Sequence, residues 1–138
     1  MKAVEIAAGI IERGAERGRP EVLVARRPEG VHLAGLFEFP GGKVRAGESP
    51  AHACARECRE ELGADVVVLG LAAPPVVHAY PDRTVTLSFF RCALAAGSPE
   101  PRALASAEVR WVERARLRDL PWPEANLDLV ARLASDVA

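Results

Sequence analysis

Residues 49 to 63, SPAHACARECREELG, carry their own start and stop signals, so they specify one helix before anything else in the chain is considered. Ser49 suits the N-cap, where a hydroxyl accepts from a backbone N–H two or three residues on. Pro50 suits the first helical position, because the N–H it lacks would have no intrahelical partner there. Gly63 suits the left-handed residue that ends a helix. The segments around this helix read differently. AVEIAAGIIE (3–12), EVLVARR (21–27), ADVVVLGL (64–71), PVVHAY (75–80), TVTLSFFRCAL (84–94) and EVRWVE (108–113) have the composition of strands, with GAERGRP and PDR as turns. Residues 28 to 48 are rich in Gly and Pro and form a long loop around one short apolar piece, LFEF. WPEANLDLVARLASDV (122–137) has helical spacing, with Leu127, Val130 and Leu133 or Ala134 on one side. Strands on both sides of a central helix, with a second helix at the end, predict a mixed sheet covered by helices.

The chain is one domain in length, residues 1–138, and 49% of it is hydrophobic, enough for a sizeable core. Eighteen basic residues against 19 acidic ones leave a net charge of −1, which builds no field for a nucleic-acid backbone or an anionic membrane. No signal peptide or membrane span is visible, so a cytoplasmic location is expected. Cys54, Cys58 and Cys92 form neither a CxxC pair nor a disulfide framework and are expected to be small buried hydrophobes. The sequence leaves monomer and homodimer open.

The helix has an unusual charge pattern. With Glu57 at zero and about 100° per residue, Glu61 falls near about +40° and Glu60 near about −60°. Ala51, Cys54, Ala55, Cys58 and Leu62 occupy the adjoining face as a core stripe, while Ala53 leaves space one turn above Glu57. Like charges at these spacings cost roughly 0.2–0.5 kcal/mol per pair. Carboxylates near a helix C-terminus also oppose its dipole, by roughly 0.3–1 kcal/mol each when exposed. Arg56 and Arg59 offset part of this. A solvated face is one explanation. The other is a hard divalent cation such as Mg2+, which takes carboxylate oxygens, waters and substrate phosphates and turns the repulsion into attraction. The acids border the apolar stripe and follow a Gly-rich loop, which favours a metal-dependent reaction on a phosphorylated substrate.

Gly42, Glu48, Arg56, Glu57, Cys58, Glu60, Glu61, Gly63 and Ala64 stand at the spacing of the Nudix box, and the chain resembles that family of hydrolases. The resemblance implies an α/β/α sandwich with a mixed sheet. It also implies cleavage of a nucleoside diphosphate linked to another moiety. By the same resemblance Glu57, Glu60, Glu61 and the Gly41 carbonyl look like Mg2+ ligands, with Mn2+ as a substitute. Arg56 would brace the loop and helix, with Glu48 as its partner, and the base for the attacking water would be Glu108, Glu57 or, with neither, the metal acting alone on the water.

AAGIIE, VLVARR, GLFEFPGGKV, YPDRTVTLSFF and LPWPEANLDLVARL extend the likeness to the MutT-like group, which hydrolyses 8-oxo-dGTP to the monophosphate and pyrophosphate. That implies nucleotide-pool sanitation and mutation avoidance, with a small-molecule nucleoside triphosphate as substrate. Arg27 and Arg83 then look like substrate-binding residues, Phe39 like part of the base pocket, and Asn126 like the reader of the purine. An Asn amide has one acceptor and one donor group. It could donate to O6 and accept from the N7–H that oxidation at C8 creates; the reversed amide would suit adenine. A helix cap is the other reading of Asn126. The chain departs from the group at Ala105, where many members carry a further glutamate; Glu108 is the nearest acid. A CTP or modified-pyrimidine pyrophosphatase and a non-catalytic nucleotide sensor remain alternatives.

Overall fold

The computed structural model describes residues 2–135. Eight strands and two α-helices follow one another: β1 (Lys2–Arg13), β2 (Glu21–Arg26), β3 (Phe37–Glu38), β4 (Gly41–Lys43), α1 (Pro50–Leu62), β5 (Val66–Leu71), β6 (Val76–Ala79), β7 (Arg83–Leu94), β8 (Glu108–Glu113) and α2 (Leu127–Ser135). β1 is the spine. From Lys2 to Ile11 it runs parallel to β7, pairing residues about eighty positions apart in the chain, from Lys2↔Arg83 to Ile11↔Cys92. Its last two residues turn to pair antiparallel with β2, and β4 pairs antiparallel with its middle, Ile6↔Lys43 to Ala8↔Gly41. β2 is flanked by β3 and β8. β5 and β6 share the far side of β7. One parallel pair among antiparallel ones makes the sheet mixed.

The period-two alternation of the strands builds two cores. Ala8, Ile10, Val22, Val24, Phe37 and Phe89 face one way and meet Leu129, Val130 and Leu133 of α2. Ala7, Ile11, Leu23, Phe90 and Cys92 face the other way and meet Ala53, Cys54, Cys58 and Leu62 of α1. This is the expected sandwich, with a helix on each face of the sheet. Each large apolar side chain so buried contributes roughly 1.5–3 kcal/mol. The three thiols are free and buried as expected, with the sulfurs of Cys54 and Cys92 3.8 Å apart.

Three expectations change. Ala53 leaves no space: it is completely buried, because the sheet closes over that turn of α1. Leu127 is 49% exposed, and Leu129 takes its place in the core. In a helix that begins at Leu127, Leu129, Val130 and Leu133 share one arc and Leu127 lies off it; a turn of 3-10 helix at Glu124–Asn126 precedes that helix. The expected end of that helix, at residues 136 and 137, lies outside the described residues. A six-residue 3-10 segment, Arg114–Asp119, follows β8 and buries Leu117; nothing in the sequence pattern announced it. No helix among the described residues is long and apolar enough to cross a membrane.

Candidate active site

The local signals of α1 operate as read. The Ser49 hydroxyl accepts from the His52 backbone N–H at 3.1 Å, and Gly63, at φ 65°, donates its N–H to the Arg59 carbonyl. Between these ends Arg56 is the hub of the site. Its Nε and Nη2 grip the Glu48 carboxylate at 2.8 and 3.0 Å, a two-pronged contact across the loop. Nη2 also donates to the Lys43 carbonyl at 2.9 Å, and Nη1 reaches Glu57 at 2.9 Å and Glu60 at 3.2 Å. Bidentate guanidinium–carboxylate pairs fix geometry as well as charge. The Glu48 side chain is 9% exposed, and the hydrogen bond from Arg56, followed by that from the Arg45 backbone, holds its pKa down at about 2. Glu48 is therefore anionic throughout the working range and braces loop to helix.

The loop meets the helix through glycine. A Cβ at Gly42 would lie 2.5 Å from the Glu57 carboxyl carbon, and one at Gly41 would strike the Ala7 carbonyl. Only a residue without a side chain lets backbone and carboxylate approach so closely. The Gly41 N–H donates to Glu61 Oε2 at 3.1 Å. β4 pairs Gly41 and Gly42 with Ala8 and Ala7, so the sheet holds this loop in place.

Glu61 is the perturbed acid. Burial first, then the nearby charges of Glu57, Glu38 and Glu60, raise its pKa to about 7 against the Gly41 hydrogen bond. Glu57, Glu60 and Glu61 lie on one arc of α1 as the periodicity predicts. They do not form a finished cage, since Glu57 and Glu60 lean toward Arg56 and no group of three His, Cys, Asp or Glu side chains among the described residues is already gathered to hold a metal ion. The donor set nonetheless suits a hard divalent cation: carboxylate oxygens beside backbone carbonyls, with a buried acid whose ionisation is opposed by its neighbours. Such an ion completes its sphere with waters and phosphate oxygens rather than with protein alone.

The remaining candidates are spread around this centre. Arg27 donates to Glu38 at 2.8 Å and to the His32 carbonyl at 2.7 Å. Phe39 is buried, stacked on Trp122 at 4.8 Å and edge-on to Phe89 at 6.1 Å. Trp122 is a packing residue, 8% exposed, with its indole N–H given to the Leu117 carbonyl. Arg83 is the exposed first residue of β7, over the Tyr80 ring and 3.7 Å from Asp82. Asn126 is half-buried at the end of the 3-10 turn. Its backbone N–H bonds the Pro123 carbonyl, and its side-chain amide has no partner among the described residues, so it does not cap α2. Glu108, the acid nearest Ala105, is held by Arg26 at 2.8 Å and Arg110 at 3.2 Å, and the Arg26 bond lowers its pKa.

Two features escaped the sequence reading. Glu38 lies inside the piece read as apolar, yet the F-E-F alternation of a strand was the available signal that it faces away from its neighbours. A cleft of about 950 Å³ opens between β6, β7 and the start of α2, with Val76, Phe89 and Leu129 below and His78, Glu124, Asp128 and Arg132 among its polar lining. Its residues come from segments far apart in the chain, and only folding joins them.

A helix-borne acid cluster, a glycine loop touching it and a clamping arginine are parts that suit a metal-dependent hydrolase of phosphorylated small molecules. The chain belongs to the Nudix family: the model described as NUDIX domain matches residues 7–132. An 8-oxo-dGTP diphosphatase of Haemophilus influenzae is 37% identical over 136 residues, covering 98% of this chain and 94% of that protein. The CTP pyrophosphohydrolase of Escherichia coli is 47% identical over 68 residues, covering 49% of this chain and 47% of that protein. Among solved structures, the E. coli ORF135 protein superposes with a TM-score of 0.79 at 29% identity, covering 98% of this chain and 91% of that one. The protein is a Nudix hydrolase, a MutT-like nucleotide pyrophosphohydrolase, and hydrolases of this family generally need a divalent metal ion.

Proposed function

We propose that the protein hydrolyses 8-oxo-dGTP to 8-oxo-dGMP and pyrophosphate with Mg2+, with Mn2+ as a substitute, and so clears an oxidised nucleotide from the precursor pool in the cytoplasm. The observation that carries the purine reading is the free amide of Asn126 at the mouth of α2. An amide turned to donate to O6 and accept from N7–H satisfies 8-oxoguanine, whereas in guanine N7 is itself an acceptor and faces the amide oxygen. Leaving a buried polar group unpaired costs about 1–3 kcal/mol, which is the scale of discrimination available here. The near full-length likeness to the H. influenzae 8-oxo-dGTP diphosphatase supports the same substrate.

In this reading Glu57, Glu60, Glu61 and the Gly41 carbonyl hold the metal. When bound, it lowers the pKa of a coordinated water and neutralises phosphate charge. Arg56 keeps the carboxylates in register through Glu48, and Glu57 takes the proton of the attacking water. Arg27 and Arg83 bind the triphosphate and nucleoside, with Phe39 under the base. The E. coli CTP pyrophosphohydrolase, more identical but over half the chain, supports a second reading with a cytosine nucleotide as substrate.

The test is kcat/KM with Mg2+ for 8-oxo-dGTP, dGTP, dATP and CTP, with products identified. A large preference for 8-oxo-dGTP giving monophosphate and pyrophosphate is expected. Comparable turnover of dGTP removes the specificity, and a preference for CTP installs the second reading.

A further inference from the structure

We propose that Glu38 is a positioning residue that holds the Arg27 guanidinium toward the substrate phosphates. The inference rests on the reading of Arg27 as a phosphate ligand, and Glu38 has no part in the motif that defines the family. Phe37 and Phe39 are 3% and 5% exposed and face the core on the α2 side of the sheet. Strand alternation therefore turns Glu38 to the opposite face. There Glu38 receives Arg27 Nη1 at 2.8 Å, with both side chains about a third exposed.

The rest of Arg27 is anchored by its surroundings. Its Nε donates to the His32 carbonyl, its backbone N–H to the Leu36 carbonyl, and its own carbonyl accepts from Gly35. A guanidinium has five N–H donors, and these contacts use two, so three remain for phosphate oxygens. Glu38 thus gives Arg27 a charged partner that fixes the other side of its guanidinium from the His32 carbonyl.

The test is a double-mutant cycle with Glu38→Gln and Arg27→Ala, read as KM, kcat and the Kd of a non-hydrolysable α,β-methylene triphosphate analogue. Glu38→Gln should raise KM roughly tenfold and weaken the analogue in parallel, with kcat within about twofold, the scale expected for losing one charge-assisted contact. Glu38→Asp should recover part of the loss. In the Arg27→Ala background Glu38→Gln should have no further effect, since coupled groups are non-additive. An equal KM effect in that background, or a fall in kcat at unchanged KM, would overturn the proposal, as would an Arg27→Ala variant with unchanged KM. The cycle is run on whichever nucleoside triphosphate is turned over fastest. Failure of the 8-oxo-dGTP reading therefore shows in the substrate panel and not here.

Discussion

Replacing Glu61 by Gln separates the two demands that the acid cluster makes on the fold. Gln keeps an acceptor for the Gly41 N–H and removes the charge. In the metal-free protein the Glu61 carboxyl has a pKa of about 7 against an ordinary 4.5. The difference, 7 − 4.5 = 2.5 units, is about 3.4 kcal/mol at about 1.36 kcal/mol per unit. Partial access to solvent reduces this to roughly 1–2 kcal/mol. The sign follows from proton uptake. Below about pH 4.5 both states hold the proton and ionisation imposes no penalty. Between about 4.5 and 7 the unfolded chain releases it while the folded chain retains it, so stability declines, and above about pH 7 the full penalty persists. Urea unfolding in EDTA from pH 4.5 to 8 should show wild type losing roughly 1–2 kcal/mol relative to Glu61→Gln across that window. Adding Mg2+ at about a hundred times its Kd should return about 2.7 kcal/mol to wild type and much less to the variant. A wild type–variant difference that does not change with pH would refute the argument that Glu61 is buried among like charges.

Other expectations concern the chemistry more directly. Glu57→Gln should lower kcat by at least about 10²-fold, as loss of a positioned base or of metal-binding charge does; near-normal steady-state turnover would place the catalytic centre elsewhere. Asn126→Ala should mainly raise KM for the oxidised nucleotide in the substrate panel, and an unchanged preference would move base recognition to the cleft residues. Gly42→Ala puts a methyl group 2.5 Å from the Glu57 carboxyl carbon, so the carboxylate must be displaced. The expected result is a loss of kcat of about tenfold or more with the circular dichroism spectrum retained, whereas full activity would mean the loop is free to retreat.

Local chemistry was enough to determine α1. Ser49 and Gly63 act through bonds to residues three or four positions away and Pro50 through its own ring, so their effect survives in any tertiary context. The helical repeat then puts Glu57, Glu60 and Glu61 on one arc whatever the rest of the chain does. The bracing of Arg56 by Glu48 was legible too, because both lie within one recognisable spacing. The strand segments were legible from their apolar runs and the sandwich from their order. The partner of each strand was not: β1 finds β7 about eighty residues away, and no turn specifies that register. The phase of α2 also needed the fold, since the face it buries carries Leu129 and leaves Leu127 exposed. Tertiary structure alone placed the Gly41 N–H on Glu61 and opened the cleft between β6, β7 and α2. Those arrangements depend on which faces the sheet buries, a balance of long-range packing that no local stretch of sequence contains.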